Sequence, residues 1–473
     1  MNGSPSVLTS RGRNKATGLT AVDSTSFEGW CKEQSAERRA WVEACGFTGA
    51  AGSTCVFPDS KGARADVVIG VDPDDLIESG ATVASKLPEG SYVLSTGLDE
   101  AQTKLFTLGF GLSAYRFDRY KDTTPPKAKL VWPEGLERQE IEAALDGMFL
   151  VRDLVNTPTN DMGPSHLAAV ARSLGKRYGA RVSVTVGEKL LEKNFPSIHA
   201  VGRASDNAPR LIDLKWGTKG PKVTLVGKGV CFDSGGLNIK PAAGMKIMKK
   251  DMGGAAHVLG VASMVMAMKL PVQLRVMVSA VENSISSNAF RPLDVLQTRK
   301  GLTVEIGNTD AEGRLVMSDA LTEAGKVDLL LDYATLTGAA RVALGTSLPA
   351  MFCNDDVIAD QLLEAGLAES DPLWRLPLHE PYRKMLKSDV ADLSNIGNSG
   401  YGGAITAALF LREFIEPTNS WVHIDVMAWN LTGSPAHPVG GEAMGIRAVY
   451  RLIQQLSAAA PKSKAKPKTK KKK

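Results

Sequence analysis

Four apolar runs stand out from residue 223 onward: Val223–Val226, Val272–Val281, Leu329–Tyr333 and Trp421–Val426. The first is uncharged and apolar but for Thr224, as expected of a strand covered on both faces. Stretches of helical length separate them. Gly253–Met268 is apolar with small residues for close packing, and Leu315–Gly325, Asp356–Leu367, Ala404–Ile415 and Glu442–Leu456 are further predicted helices. Upstream, Leu136–Leu154 has helical periodicity, and Ser165 caps a helix to about Tyr178. Val182–Val186, Ser197–Val201 and Leu211–Trp216 read as strands. Strands alternating with helices predict an α/β sandwich around a mostly parallel central sheet, whose ligands bind at the carboxyl ends of the strands.

The first part of the chain reads differently. Ala65–Val71, Ser91–Ser95 and Lys127–Trp132 are candidate strands, and Leu98–Leu112 is a candidate helix. They predict a small mixed α/β domain over residues 24–135, with an assembly or regulatory role and a boundary at Pro133–Gly135. The larger unit covers 136–460. Residues 1–23 and 461–473 are expected to be disordered.

Length agrees with more than one domain, since 473 residues exceed one ordinary domain. A hydrophobic content of 43% with 23% charged residues is that of a soluble globular protein. No apolar run reaches the ~18 residues of a membrane span. Cys31, Cys45, Cys55, Cys231 and Cys353 are scattered and form no C-x-x-C pair, which argues against a disulfide framework and suits a reducing compartment, the cytoplasm. The formal charge of +5 is misleading, because residues 461–473 hold eight lysines and no acid, and without them the charge is −3. The body is mildly acidic with a basic tail. Arg11, Arg13 and Lys15, with no acid before Asp23, give the N-terminus some transit-peptide character but no apolar core of a secretory signal.

Candidate chemistry concentrates between Val223 and Leu315. Asp233, Asp251, Asp310 and Glu312 sit among glycines at strand and helix ends, with Lys228, Lys240 and Arg314 beside them. Asp310 and Glu312 are two apart, so an extended chain would turn both carboxylates to the same side. Four carboxylates brought together repel and stay ionised only with cations. Two divalent ions roughly 3.5–4 Å apart would satisfy them and form a hydrolytic centre. His166, His199, His257, His379, His423 and His437 fit no H-E-x-x-H pattern, so the site is oxygen-rich and each histidine is read as structural. Taken singly, Asp251 before Gly253-Gly254 is a helix cap and Lys228 a surface charge. Gly227-Lys228-Gly229 lacks the spacing of a phosphate loop. The metal reading rests on the combination.

Three segments carry a resemblance. They are G-K-G-V-C-F-D-S-G-G-L-N-I-K-P-A-A-G-M (Gly227–Met245), K-D-M-G-G-A-A (Lys250–Ala256) and N-T-D-A-E-G-R-L (Asn308–Leu315). In them the chain resembles the leucyl aminopeptidase (cytosol aminopeptidase) family of dinuclear metallopeptidases. Weaker similarity at Arg152–Pro164, Tyr333–Gly345, Tyr401–Leu411 and Trp421–Asp425 extends it over roughly residues 140 to 455. The resemblance implies that Lys228, Asp233, Asp251, Asp310 and Glu312 hold two divalent ions, Mn²⁺ or Zn²⁺. Asp233 and Glu312 would be shared between the ions, and Lys228 would bind as a neutral amine. It implies that Lys240 polarises the scissile carbonyl and that Arg314 holds a bicarbonate acting as general base. It places Met248, Asn308, Thr335, Thr337 and Gly338 around the cleft for the first substrate residue, with Leu and Met favoured and broad specificity. It also implies peptide substrates and a homohexamer with inward-facing sites.

The sequence departs from the family pattern in places. Cys231 stands where the family commonly has Thr, and Val426-Met427-Ala428-Trp429-Asn430 replaces a run of small residues near the pocket. An alternative reading is a nucleic-acid-binding or scaffolding protein that acts through the lysine tail on a peptidase fold. A pseudoenzyme would have lost a ligand, Lys240 or Arg314, and all seven residues are present.

Overall fold

The computed structural model describes residues 7–62 and 64–459. The lysine tail and the first six residues lie outside the described residues, so neither the tail's expected disorder nor the nucleic-acid role drawn from it finds support here.

The N-terminal domain is built on a six-stranded sheet ordered Leu8–Thr9, Ala128–Val131, Gly90–Thr96, Thr17–Val22, Arg64–Gly70, Thr54–Pro58. All its pairs are parallel except the last. The reading of residues 1–23 as disordered is therefore corrected from residue 7 onward. Thr17–Val22 lies between two partners within the sheet, and Leu19 is fully buried. Its few apolar residues are interspersed with Thr and Gly, which hid the period. The helices Phe27–Lys32, Ala36–Ala44, Leu76–Lys86 and Glu100–Leu112 pack with this sheet, the last where the sequence predicts Leu98–Leu112.

The second domain carries an eight-stranded sheet. Its order is Trp374–Arg375, Ala350–Cys353, Ser420–Asp425, Leu329–Ala334, Lys222–Asp233, Gln273–Asn283, Arg210–Trp216, Arg181–Val186. The four central strands run parallel, matching the continuous apolar runs of the sequence. Antiparallel partners flank them on both sides. Helices cover both faces of this sheet, as the alternating pattern predicts.

One expected strand is a helix. Ser197–Val201 lies inside the helix Pro196–Gly202, which begins on Pro196. Five residues, Ser-Ile-His-Ala-Val, are too few to separate a strand period from a helical one. Here Ser197 and Ile198 donate their amides to Asp319 on the helix Gly313–Ala324, a contact that satisfies the free amides of a buried helix N-terminus.

Small residues set how closely the central helix sits on the sheet. Gly253–Ala267 is buried from Gly253 to Met266. A Cβ on Gly254 would lie 2.1 Å from the Tyr333 carbonyl oxygen and 2.8 Å from the Lys228 amide nitrogen. On its far side this helix meets Arg138–Asn156, where a Cβ on Gly147 would stand 3.2 Å from the Gly260 carbonyl oxygen. That close approach places the start of the helix, and Asp251 just before it, over the sheet's carboxyl edge.

The sheet opens where the chemistry lies. Lys222–Asp233 pairs with Leu329–Ala334 only as far as Gly227↔Tyr333. On its other side it stays paired with Gln273–Asn283 out to Asp233↔Asn283. Beyond Gly227 that edge of the strand has no ladder partner, and the Lys228 side chain reaches the Thr335 carbonyl just past the end of the neighbouring strand.

Candidate metal centre and active site

Five elements deliver the charged groups. Lys228 and Asp233 come from the overhanging end of Lys222–Asp233. Lys240 follows on a loop closed by its own amide donating to the Ser234 carbonyl at 3.0 Å. That loop turns through Gly235 and Gly236, both at positive φ, and a Cβ on Gly235 would strike the Asn238 carbonyl oxygen at 2.4 Å. Asp251 sits in the 3-10 turn Met248–Met252. Asp310 and Glu312 precede the helix Gly313–Ala324, whose first turn holds Arg314.

The Asp310–Glu312 segment is not extended, as the spacing argument supposed. Asn308 Oδ1 accepts from the Asp310 amide at 2.8 Å, and the Asn308 carbonyl accepts from the Ala311 amide at 3.2 Å. Glu312 already has helical φ and ψ. The two carboxylates converge through this turn rather than through strand alternation.

They do converge. One carboxylate oxygen from each of Asp233, Asp310 and Glu312 lies within 4.8 Å of the others. Lys228 Nζ stands 2.7 Å from Asp251 Oδ2 and 2.9 Å from Glu312 Oε1, and donates to the Thr335 carbonyl at 3.1 Å. Lys240 Nζ is 2.8 Å from Asp233 Oδ2 and also pairs with Asp310. Thr335 Oγ1 donates to Asp251 Oδ1 at 2.6 Å. Six of the seven residues of the sequence-derived set thus gather in one cleft; Arg314 stands two residues past Glu312 in the helix and bonds instead to Asn395.

The electrostatics are those of a site built for cations. Burial, reinforced by Asp233, pushes the Glu312 carboxyl up to about 8, and the same two causes push Asp310 up to about 6. Burial acts to lower the Lys228 ammonium, but Asp251, Glu312 and Asp233 outweigh it and raise it. Lys240 behaves likewise, with Asp233 the main opposing charge. Glu312 Oε2 is buried without a hydrogen bond. A buried carboxylate oxygen left this way is costly unless a cation completes it. The donor set of four carboxylates and one amine fits hard or borderline divalent ions.

Arg314 is buried, and its Nη1 donates to the Asn395 carbonyl at 2.7 Å. Its Nε has no partner, and burial lowers the group to about 10, so it remains a cation at neutral pH. Among the expected cleft residues, Met248 is half-buried, Thr335 and Thr337 are buried, and Gly338 is exposed. Asp425 braces this wall, its Oδ1 accepting from the Leu336 amide at 2.9 Å and its Oδ2 from the Thr337 amide at 2.9 Å and hydroxyl at 2.7 Å. Cys231 is buried, and burial pushes its thiol well above the ordinary range.

Residues 149–450 match the cytosol aminopeptidase family, catalytic domain, and residues 18–133 match the M17 aminopeptidase, N-terminal domain. The chain belongs to the cytosol aminopeptidase family. It is a metal-dependent aminopeptidase. A probable cytosol aminopeptidase of Rhizobium meliloti (strain 1021) is 37% identical over 447 residues, covering 86% of this chain and 89% of that one. The crystal structure of a cytosol aminopeptidase from Coxiella burnetii superposes with a TM-score of 0.91 at 47% identity, covering 95% of this chain and 99% of that one. The bottromycin maturation enzyme BotP in complex with Mn has a TM-score of 0.84 at 31% identity, covering 93% of this chain and 99% of that one.

Sequence reasoning missed the groups that hold the cytosol aminopeptidase centre in place. Asn283 Nδ2 donates to Asp233 Oδ1 at 2.9 Å and to the Thr309 carbonyl at 3.0 Å. A polar residue closing the apolar strand Gln273–Asn283 is a local signal that points to it. Asp425 closes the strand Ser420–Asp425 in the same way, whereas Asn395 carries no such signal, because its partners lie far away in sequence. Among the described residues no helix is long and apolar enough to cross a membrane.

Proposed function

We propose that this aminopeptidase removes single residues from peptide N-termini at a centre of two divalent ions, Mn²⁺ or Zn²⁺. Lys228, Asp233, Asp251, Asp310 and Glu312 would hold them. The observation that carries this reading is the Lys228 ammonium standing between Asp251 and Glu312, with Asp233 and Asp310 around Lys240. Each ammonium supports a pair of carboxylates that would otherwise repel. When bound, the ions supply Lewis-acid charge that activates water and stabilises a developing oxyanion.

The chain's own residues then divide the work. Lys228 gives up its proton and binds as a neutral amine, which nearby cations enforce. Lys240 keeps its proton and donates to the scissile carbonyl oxygen, stabilising the anion that forms there. Arg314, whose Nε has no partner, would hold a bicarbonate, which would supply a general base for the attacking water. Met248, Asn308, Thr335, Thr337 and Gly338 line the cleft for the first residue. One methylene in such a pocket is worth only ~1–3 kcal/mol, so Leu, Met and similar residues are all accepted. The active assembly is a homohexamer in the cytoplasm.

The test is hydrolysis of Leu-4-nitroanilide by metal-stripped protein with Mn²⁺, Zn²⁺ or Co²⁺ added back. Activity should return with at least one ion. No activity with any metal or any aminoacyl substrate would sink the reading.

A further inference from the structure

Asn395 is fully buried and lies 85 residues beyond Asp310 in the chain, yet it is bonded to the metal-binding turn from end to end. Its Oδ1 accepts from the Gly307 amide at 2.7 Å and the Asn308 amide at 3.2 Å. Its Nδ2 donates to the Asn308 carbonyl at 2.7 Å and the Ala311 carbonyl at 3.3 Å. The same residue's main-chain carbonyl receives Arg314 Nη1 at 2.7 Å. Its amide donates to the Glu305 carbonyl at 2.9 Å, extending the parallel pairing of Leu393–Ser394 with Val304–Glu305. One side chain therefore fixes the turn that presents Asp310 and Glu312, and one carbonyl aims the guanidinium that follows them.

We propose that Asn395 is a positioning residue that locks the Asp310–Glu312 turn and Arg314 into a single geometry. The turn has two adjacent amides and two carbonyls pointing inward, and no sheet or helix supplies their partners. A primary amide offers a matched acceptor and donor edge, which an apolar side chain of the same volume does not. Without Asn395 the Asn308 carbonyl keeps only the Ala311 amide at 3.2 Å, while the Gly307 and Asn308 amides and the Ala311 carbonyl lose their Asn395 partner; the turn then relaxes and the carboxylates spread. Partners behind metal ligands typically influence affinity by ~10–100-fold.

This inference rests on reading Asp310, Glu312 and Arg314 as metal and anion ligands, so the experiment tests both levels. Full-length metal-free wild type, Asn395→Ala and Asn395→Leu are titrated with Mn²⁺ by calorimetry. Their thermal melting is recorded, and kcat and KM for Leu-4-nitroanilide are measured at saturating Mn²⁺. The Leu variant keeps the volume and removes all four side-chain bonds. The expected result is cooperative melting in all three proteins, with Mn²⁺ affinity in both variants weakened about 10–100-fold. At saturating Mn²⁺, kcat should stay at least about tenfold down while KM changes less than about threefold, as for an interaction made chiefly in the transition state. Wild-type affinity and kcat in Asn395→Leu overturn the proposal and leave a packing role. Loss of cooperative melting in both variants overturns it in favour of a folding role. A wild-type protein that binds no Mn²⁺ refutes the underlying site reading instead.

Discussion

Lys228 Nζ and Glu312 Oε1 face each other at 2.9 Å, both side chains buried, with Asp251 Oδ2 on the other side of the amine at 2.7 Å. In this arrangement a proton occupies the position of a metal charge. Lys228 is held protonated by its carboxylates, and Glu312 is raised to about 8. Binding a divalent ion requires the deprotonated forms, so protons must leave as the ion enters. We expect calorimetric titration in two buffers of different ionisation enthalpy to record net proton release. Apparent Mn²⁺ affinity should rise between about pH 6 and about pH 8. Affinity independent of pH would count against Lys228 and Glu312 as ligands.

Gly313 bears on the same pair. A Cβ there would lie 2.6 Å from Lys228 Cε and 2.7 Å from its Nζ. Gly313 is helical, so Gly313→Ala is not strained in its backbone and even gains ~1 kcal/mol of helix propensity. The penalty falls on the lysine, which must swing away from Glu312. The variant should fold with a melting temperature close to wild type yet bind Mn²⁺ at least about tenfold more weakly. Unchanged affinity would show that Lys228 is not needed where it stands.

Lys240 and Asp310 should separate under mutation, although they touch. Lys240→Ala removes a charge aimed at the developing oxyanion and should lower kcat by about 10²–10³. It also frees Asp233 and Asp310 of a competing cation, so Mn²⁺ affinity should hold or improve. Asp310→Ala should lose both metal affinity and activity. Equal metal affinities in the two variants would contradict this division of roles.

Much of this was legible in the chain because it is local. Continuous apolar strands and small-residue helices define the central sheet, and the charged residues stand at its carboxyl edge, where the alternating pattern puts a ligand. The convergence of Asp310 with Glu312 was legible in outcome but not in geometry, since an Asx turn closed by Asn308, not strand alternation, brings them together. Ser197–Val201 failed because five residues are too few to establish a period. The strands between residues 7 and 22 failed because their burial is supplied by partners elsewhere in the first sheet. Asn395 was illegible for the same reason, since it acts only on segments it meets in the folded state.

The histidines, read as structural, give one case where that role fixes a pH dependence. His257 lies wholly buried against Tyr333, their ring centroids 5.1 Å apart. Its Nδ1 is 2.7 Å from the Gly253 carbonyl, and its Nε2 is 2.9 Å from the Met444 amide. The first nitrogen must donate and the second must accept, so only the neutral ring satisfies both partners. Burial accordingly lowers it from 6.5 to about 4. In the unfolded chain the imidazole takes its proton near ~6.5. Between those two values the unfolded state binds the extra proton, so stability falls as pH falls. The contribution is complete above about pH 6.5, is lost progressively toward about pH 4, and amounts to roughly 3 kcal/mol. Urea unfolding of metal-free wild type and His257→Gln at pH 7.5 and pH 5 (values chosen to bracket ~6.5) should reveal it. The variant is expected to be less stable at the higher pH, where it lacks the ring's packing, and to lose less on acidification. Identical losses in the two proteins would mean that His257 is protonated in the folded state, in conflict with the amide of Met444 pointing at its Nε2.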